Sequence, residues 1–254
     1  MDTDDRRQLA DANVIVAFCV VQRHFGERAG GVRRFGSVHA IATGREVRFF
    51  NRVMAMDSAS RPRDVVAAID WIEARGWPVT AQLGDALKAD VRTAVEDLGL
   101  VADRWESPIM VLEPIRTAPA PPPELRLRIG GRELGADFNT AVPSGPVLQR
   151  ALGPAFAADS DVRLAVGYVE DAPVARAAAI RSGSTIGIYV VGTAERFRRR
   201  GFGRAVTWAA IDAGVAAWGG SIAVLQSSEM GVPVYASMGF RVVARYIELE
   251  RPTD

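Results

Sequence analysis

The chain has 254 residues, 48% of them hydrophobic, and balances 31 Lys and Arg against 30 Asp and Glu for a net charge of +1. That length and apolar content support one or two packed domains, and the near-zero charge excludes a global electrostatic footprint for nucleic acid. The single Cys19, inside the apolar run 14–21, excludes an intramolecular disulfide and reads as a small buried hydrophobe.

The opening Met1-Asp2-Thr3-Asp4-Asp5 is acidic where a secretory leader would be basic, and the apolar run behind it spans only eight residues. No segment approaches the roughly 20 apolar residues that cross a bilayer, so a soluble, cytoplasmic protein without membrane partners is expected. Gly30-Gly31-Val32-Arg33-Arg34-Phe35-Gly36 reads as a solvated basic loop. A strand is expected over 48–56, including Phe49 and Phe50, and a helix begins at Ser60-Arg61-Pro62 with a cap and an N1 proline. Val66, Ile69 and Ile72 line one face of that helix and Gly76 ends it. A strand over 79–82 follows, then a helix capped at Asp85 with Leu87, Val91 and Val95 inward, the turn Leu98-Gly99-Leu100, and a strand over 109–115. Residues 117–124, with four prolines that favour extended geometry, read as a linker between domains at 1–116 and 125–254.

Beyond the linker the pattern predicts strands over 125–129, 162–168, 174–180 and 184–191, with helical segments across 134–152. A helix over 202–218 follows from Val206, Ala209, Ala210, Ala213 and Ala217, stopped by Gly219-Gly220. A strand over 222–225, a helix over 230–237 and a strand over 240–249 complete a mixed α/β order, the twisted central sheet flanked by helices.

The chemistry concentrates at Arg198-Arg199-Arg200-Gly201-Phe202-Gly203-Arg204, between the strand ending at Val191 and the alanine-rich helix. A strand that runs through a glycine loop into a helix offers main-chain N–H groups and the positive end of the helix dipole to an anion. The two glycines permit close approach and the arginines suit a pyrophosphate. The chain holds neither Gly-x-Gly-x-x-Gly nor Gly-x-x-x-x-Gly-Lys-Ser/Thr, which excludes the commoner nucleotide motifs.

Arg198-x-x-Gly201-x-Gly203, followed by the strand at 222–225, Ser228, Tyr235 and Met238-Gly239-Phe240, resembles the signature of the GNAT superfamily of acetyl-CoA-dependent N-acetyltransferases. Ser228 and Gly231 depart from it, standing where Asn and Ala are more usual. The resemblance implies acetyl-CoA as cosubstrate and an amine-bearing acceptor. It implies that Val190, Val191 and Thr193 pair with the pantetheine arm of acetyl-CoA, and that the pyrophosphate rests on the segment Arg198, Arg199, Arg200, Gly201, Phe202, Gly203 and Arg204. Tyr235 is the expected general acid, its unperturbed pKa of about 10 suiting a departing thiolate, and Ser228 is expected to hold the CoA chain or a water. The base stays open between Glu229, Tyr189 and a water chain. Glu229 equally suits the positive end of the next helix, and Tyr189 equally suits packing.

Leu98-Gly99-Leu100 lays onto Met238-Gly239-Phe240, which makes the first half a second GNAT-like domain. Its Asp57-Ser58-Ala59-Ser60-Arg61-Pro62 holds no glycine, and Val95 falls where Tyr235 should be, so this copy is degenerate and lacks an acetyl-CoA site. His24, His39 and Cys19 form no metal-binding or triad spacing, and no metal is expected. A homodimer is compatible with this plan. The competing readings are a non-catalytic acyl-CoA-binding sensor or structural protein, motivated by Ser228 and Gly231, and a nucleic-acid module on the arginine cluster, which lacks stacking aromatics apart from Phe202.

Overall fold

In a computed structural model, which describes residues 1–25 and 30–252, the chain forms α1 (Thr3–Gln22), β1 (Gly31–Phe35), β2 (Val38–Ala42), β3 (Arg52–Ala55), α2 (Pro62–Glu73), β4 (Thr80–Gly84), α3 (Ala89–Asp97), β5 (Val101–Ala102) and β6 (Ser107–Leu112). It continues through β7 (Arg126–Gly130), α4 (Gly135–Ala141), α5 (Pro146–Ala151), α6 (Pro154–Ala157), β8 (Val162–Val169), β9 (Ala172–Ser182) and β10 (Thr185–Thr193). The last elements are α7 (Phe202–Trp218), β11 (Ile222–Gln226), α8 (Val232–Ser237) and β12 (Arg241–Glu250).

These elements make two units, each drawn from two stretches of chain: Met1–His24 with Met110–Arg241, and Phe25–Ile109 with Val242–Asp254. The division therefore does not fall at the proline-rich segment 117–124, which lies within the first unit.

In the first unit the strand order is β6-β11-β10-β9-β8-β7. β7 to β10 are antiparallel neighbours, and β10 runs parallel to β11 with α7 as the crossover. One face buries Val206, Ala210 and Ile211 of α7 against Ala175, Ala177 and Ile188. The other buries Phe138 of α4, Phe156 of α6 and Ala17 and Val20 of α1 against Leu164, Ala178 and Ile180.

The second unit repeats the parallel crossover on a smaller scale. Its order is β1-β2-β3-β4-β12, with β3 and β4 parallel and joined through α2, while β5 pairs with β12. Val65, Ala68, Ile69 and Ile72 are the inward stripe of α2, so Val65 takes the place expected of Val66. Arg52 of β3, 1% exposed, is neutralised by Glu248 of β12 at 2.7 Å.

The outer strand of each unit follows, in the chain, a helix of the other unit. β6, which follows α3 in the chain, lies beside β11, whereas β12, which follows α8, pairs with β4 in register Ile247↔Leu83. Nothing in local pattern encodes that arrangement.

Several local expectations change. The acidic opening is the start of α1: Asp2 is its N-cap, accepting the Asp5 N–H at 2.8 Å, and Asp4 and Asp5 complement the helix dipole. Residues 31–35, expected as a loop, form β1, paired to β2 in a hairpin whose two-residue turn has Gly36 at φ +59°. Phe49 and Phe50 sit in a 3₁₀ turn rather than a strand, and α3 starts after Lys88 rather than at Asp85. The strand expected over 109–115 is β6 at Ser107–Leu112. The helical stretch 134–152 breaks into α4 and α5 because Pro143 and Pro146 cannot donate to a continuing helix.

Candidate active site

β10 and β11 pair only through Thr185↔Ile222, Ile186↔Ala223 and Gly187↔Val224, although β10 continues to Thr193. Past Gly187 its main chain is free of that neighbour, and the register against β9 shifts between Tyr189 and Gly192. Val190 at the shift has φ +56°. A β-branched residue in the left-handed region is strained, and the bulge turns both Tyr189 and Val190 toward the α1 and α4 face while Val191 packs on the α7 face.

Tyr189 is held from α1, the element sequence reasoning left out. Its hydroxyl donates to Asn13 Oδ1 at 2.7 Å, Asn13 Nδ2 donates to Thr185 Oγ1 at 2.8 Å, and Thr185 Oγ1 donates to the Ser182 carbonyl at 2.8 Å. Asn13 is 1% exposed, and a Cβ on Gly187 would come within 2.2 Å of its Oδ1, so the glycine makes room for the amide. Burial pushes the Tyr189 phenol far above its ordinary pKa. With its proton committed to Asn13, this geometry argues against Tyr189 as the base.

The segment expected to hold the pyrophosphate follows Thr193. Arg198 Nε donates to the Thr193 carbonyl at 3.4 Å, Arg199 has φ +61°, and Gly201, at φ +80°, is the N-cap of α7 with no side chain to occupy the first-turn N–H groups. The first intrahelical bond runs from the Ala205 N–H to the Gly201 carbonyl, and the first turn holds no acid. Arg198, Arg199 and Arg204 are exposed. Arg200 is instead engaged, with Nη2 on Glu124 at 3.1 Å and its guanidinium 5.0 Å from the Phe202 ring centre. Phe202 is 1% exposed in the core and offers only its main chain to the loop.

Tyr235 projects from α8 against the α7 face, opposite to Tyr189. Burial pushes its phenol up to about 12, opposed by a hydrogen bond with Thr207. Thr207 Oγ1 also donates to the Gly203 carbonyl at 2.8 Å, so Tyr235 and the cradle share one residue of α7. Gly231 has a local reason here, since a Cβ there would come within 2.8 Å of both the Tyr235 ring and Ser227 Oγ. Ser228 is exposed, its carbonyl accepting from the Gly231 and Val232 N–H groups at 3.0 and 3.2 Å. Glu229 is exposed in the turn ahead of α8. Among the described residues no cluster of three or more His, Cys, Asp or Glu suits a metal, and no helix is long and apolar enough to cross a membrane.

Residues 127–221 match the model of the acetyltransferase (GNAT) domain. A GCN5-related N-acetyltransferase from Kribbella flavida superposes with a TM-score of 0.72 at 20% identity, covering 96% of each chain. A tandem GNAT protein from the clavulanic acid biosynthesis pathway gives 0.61 at 13% identity over 89% of this chain and 82% of that one. A GCN5-related N-acetyltransferase from Sphaerobacter thermophilus gives 0.59 at 20% identity over 86% and 78%. No curated protein matches the chain. The chain thus carries a GNAT acetyltransferase domain, of the acyltransferase class, across residues 127–221 and has the fold of the GCN5-related N-acetyltransferases.

Proposed function

We propose that the protein is an N-acetyltransferase that moves an acetyl group from acetyl-CoA to a primary amine by direct attack in a ternary complex. The carrying observation is the continuous path of β10 past the end of its pairing with β11, through the strained Val190, to the uncapped glycine N-terminus of α7. Acetyl-CoA supplies a thioester carbonyl and a pyrophosphate.

The main chain at Val190, Val191 and Thr193 takes the pantetheine arm as an added strand, and an N–H near Val191 polarises the acyl oxygen. The first-turn N–H groups of α7, with Arg198, Arg199 and Arg204, hold the pyrophosphate. Tyr235 delivers a proton to the departing sulfur; its raised pKa keeps it protonated at neutral pH. Glu229, or a water held near Ser228, receives the amine proton. The first repeat serves as a scaffold without a donor site, and a cytoplasmic protein that binds neither membrane nor nucleic acid, with a surface compatible with a homodimer, completes the reading.

Calorimetric titration of acetyl-CoA tests it. One-to-one binding lost in Gly203→Val supports the cradle, and unchanged affinity in the variant removes the assignment. Absence of binding to the native chain returns the structural reading to first place, whereas binding without turnover of any amine favours the sensor.

A further inference from the structure

Two arginines are buried among the described residues, and they differ in their electrostatic partners. Arg52 has Glu248, whereas Arg176 of β9, 3% exposed, has no carboxylate within ion-pair distance among the described residues. An unpaired buried cation is costly to maintain. Asp137, next to Phe138 on α4, is not its ion-pair partner; that carboxylate accepts the Tyr168 hydroxyl at 2.5 Å.

The contacts of Arg176 divide along its guanidinium. Nη1 donates to the Phe138 carbonyl at 3.0 Å and the group lies 5.2 Å from the Phe138 ring centre, which anchors one edge. On the other edge, Nη2 donates to Ser144 Oγ at 2.7 Å and Nε, fully buried, has no partner among the described residues. The Nε and Nη2 pair is the fork that grips a carboxylate with two parallel hydrogen bonds. This molecule uses that edge twice elsewhere: Arg23 holds Asp159 through Nε and Nη2 at 2.8 Å each, and Arg251 holds Glu73 at 2.6 Å each. At Arg176 the fork meets one neutral hydroxyl.

Its place in the sheet is equally specific. Arg176 pairs in register with Gly192, two residues beyond Val190 on the distorted end of β10. The loop between α4 and α5 covers this spot, with Val142 3.0 Å from where a Gly192 Cβ would be and Ser144 on the guanidinium.

We propose that Arg176 is the recognition point for a carboxylate carried by one of the two reactants, and that Ser144 Oγ stands where one carboxylate oxygen binds. This rests on the acyl-transfer reading above. The carboxylate belongs either to the amine acceptor, as in an amino acid, or to an acyl group ending in an acid.

Calorimetric binding to the full chain separates these sources. One arm compares succinyl-CoA with butyryl-CoA; the other compares ω-amino acids of two to six carbons with alkylamines of equal length, with and without CoA. The native protein should prefer the carboxylate member of one arm by about tenfold or more. Arg176→Gln should erase that preference and Arg176→Lys should keep part of it. A preference in neither arm, or one that survives Arg176→Gln, overturns the proposal. Should Arg176→Gln fail to fold, Ser144→Ala decides: loss of the competing hydroxyl tightens the preferred carboxylate probe several-fold, and unchanged or weaker binding overturns the assignment. Failure of the acyl-transfer reading itself shows separately, as absence of binding of acetyl-CoA, titrated alongside as a third arm.

Discussion

α7 and α2 both leave a strand and return to its parallel neighbour, yet their first turns present opposite surfaces to an anion. α7 begins at Gly201 in the left-handed region, has Gly203 in its first turn and carries no acid there. α2 begins at Arg61, has Pro62 at its first position and Asp64 in its first turn. The proline removes an N–H donor and the aspartate places negative charge at the dipole's positive end. Ser60, expected to cap α2, is buried and shares its hydroxyl with Ser37 at 2.9 Å. Two helices with the same topological task therefore diverge into a glycine-capped first turn without an acid and a proline-led first turn that carries one.

Four experiments test the contrast. Gly203→Val puts a branched side chain into the α7 cradle and should weaken acetyl-CoA binding by about 1,000-fold, roughly 4 kcal/mol, by calorimetry, with thermal stability nearly unchanged because a Cβ there meets only Thr193 Oγ1 at 3.4 Å. Tyr235→Phe should lower kcat by about 100-fold while sparing acetyl-CoA affinity. With the phenol pKa near 12, the native enzyme should show no loss of the acid form between pH 8 and 10, since a raised pKa keeps the proton bound until pH passes through that higher value. A decline of kcat centred near pH 9 that disappears in Tyr235→Phe would refute the raised pKa, and equal kcat for Tyr235→Phe and the native chain at every pH would refute the acid role. Asn13→Ala leaves the Tyr189 hydroxyl without its acceptor and should cost about 1–3 kcal/mol, seen as a melting temperature lower by several degrees. Smallest of all, Asp64→Ala in α2 should change acetyl-CoA affinity by less than about twofold; a larger change would give the first repeat a part in donor binding.

The strands and helices of 162–250 were legible in the sequence because each is carried by a local signal: alternation, a glycine stop or a three-to-four stripe. The glycine-capped start of α7 was legible for the same reason, since its glycines and arginines mark it. Three features were not. Val190 occupies a backbone region its side chain disfavours, so propensity points away from the bulge. Asn13 reaches Tyr189 across 176 residues, and polar pairing over that distance leaves no trace in spacing. Arg176 had a faint signal, a charged residue inside the run Ala175 to Ala179 of an otherwise apolar strand, visible only once the opposite face is known to be buried as well.

The two outer strands also set an order of completion during synthesis. The first repeat emerges from the ribosome with β4 still lacking β12, and Arg52 lacking Glu248, until residues 241–250 have been made. Since domains elsewhere fold from the N-terminus as they appear, at about 5–20 residues per second, the earlier unit here is the one that must wait. Its closing strand is made only after residues 110–240 have been, so a chain cut short after Phe240 would lose part of the unit whose remaining strands and helices had all been made.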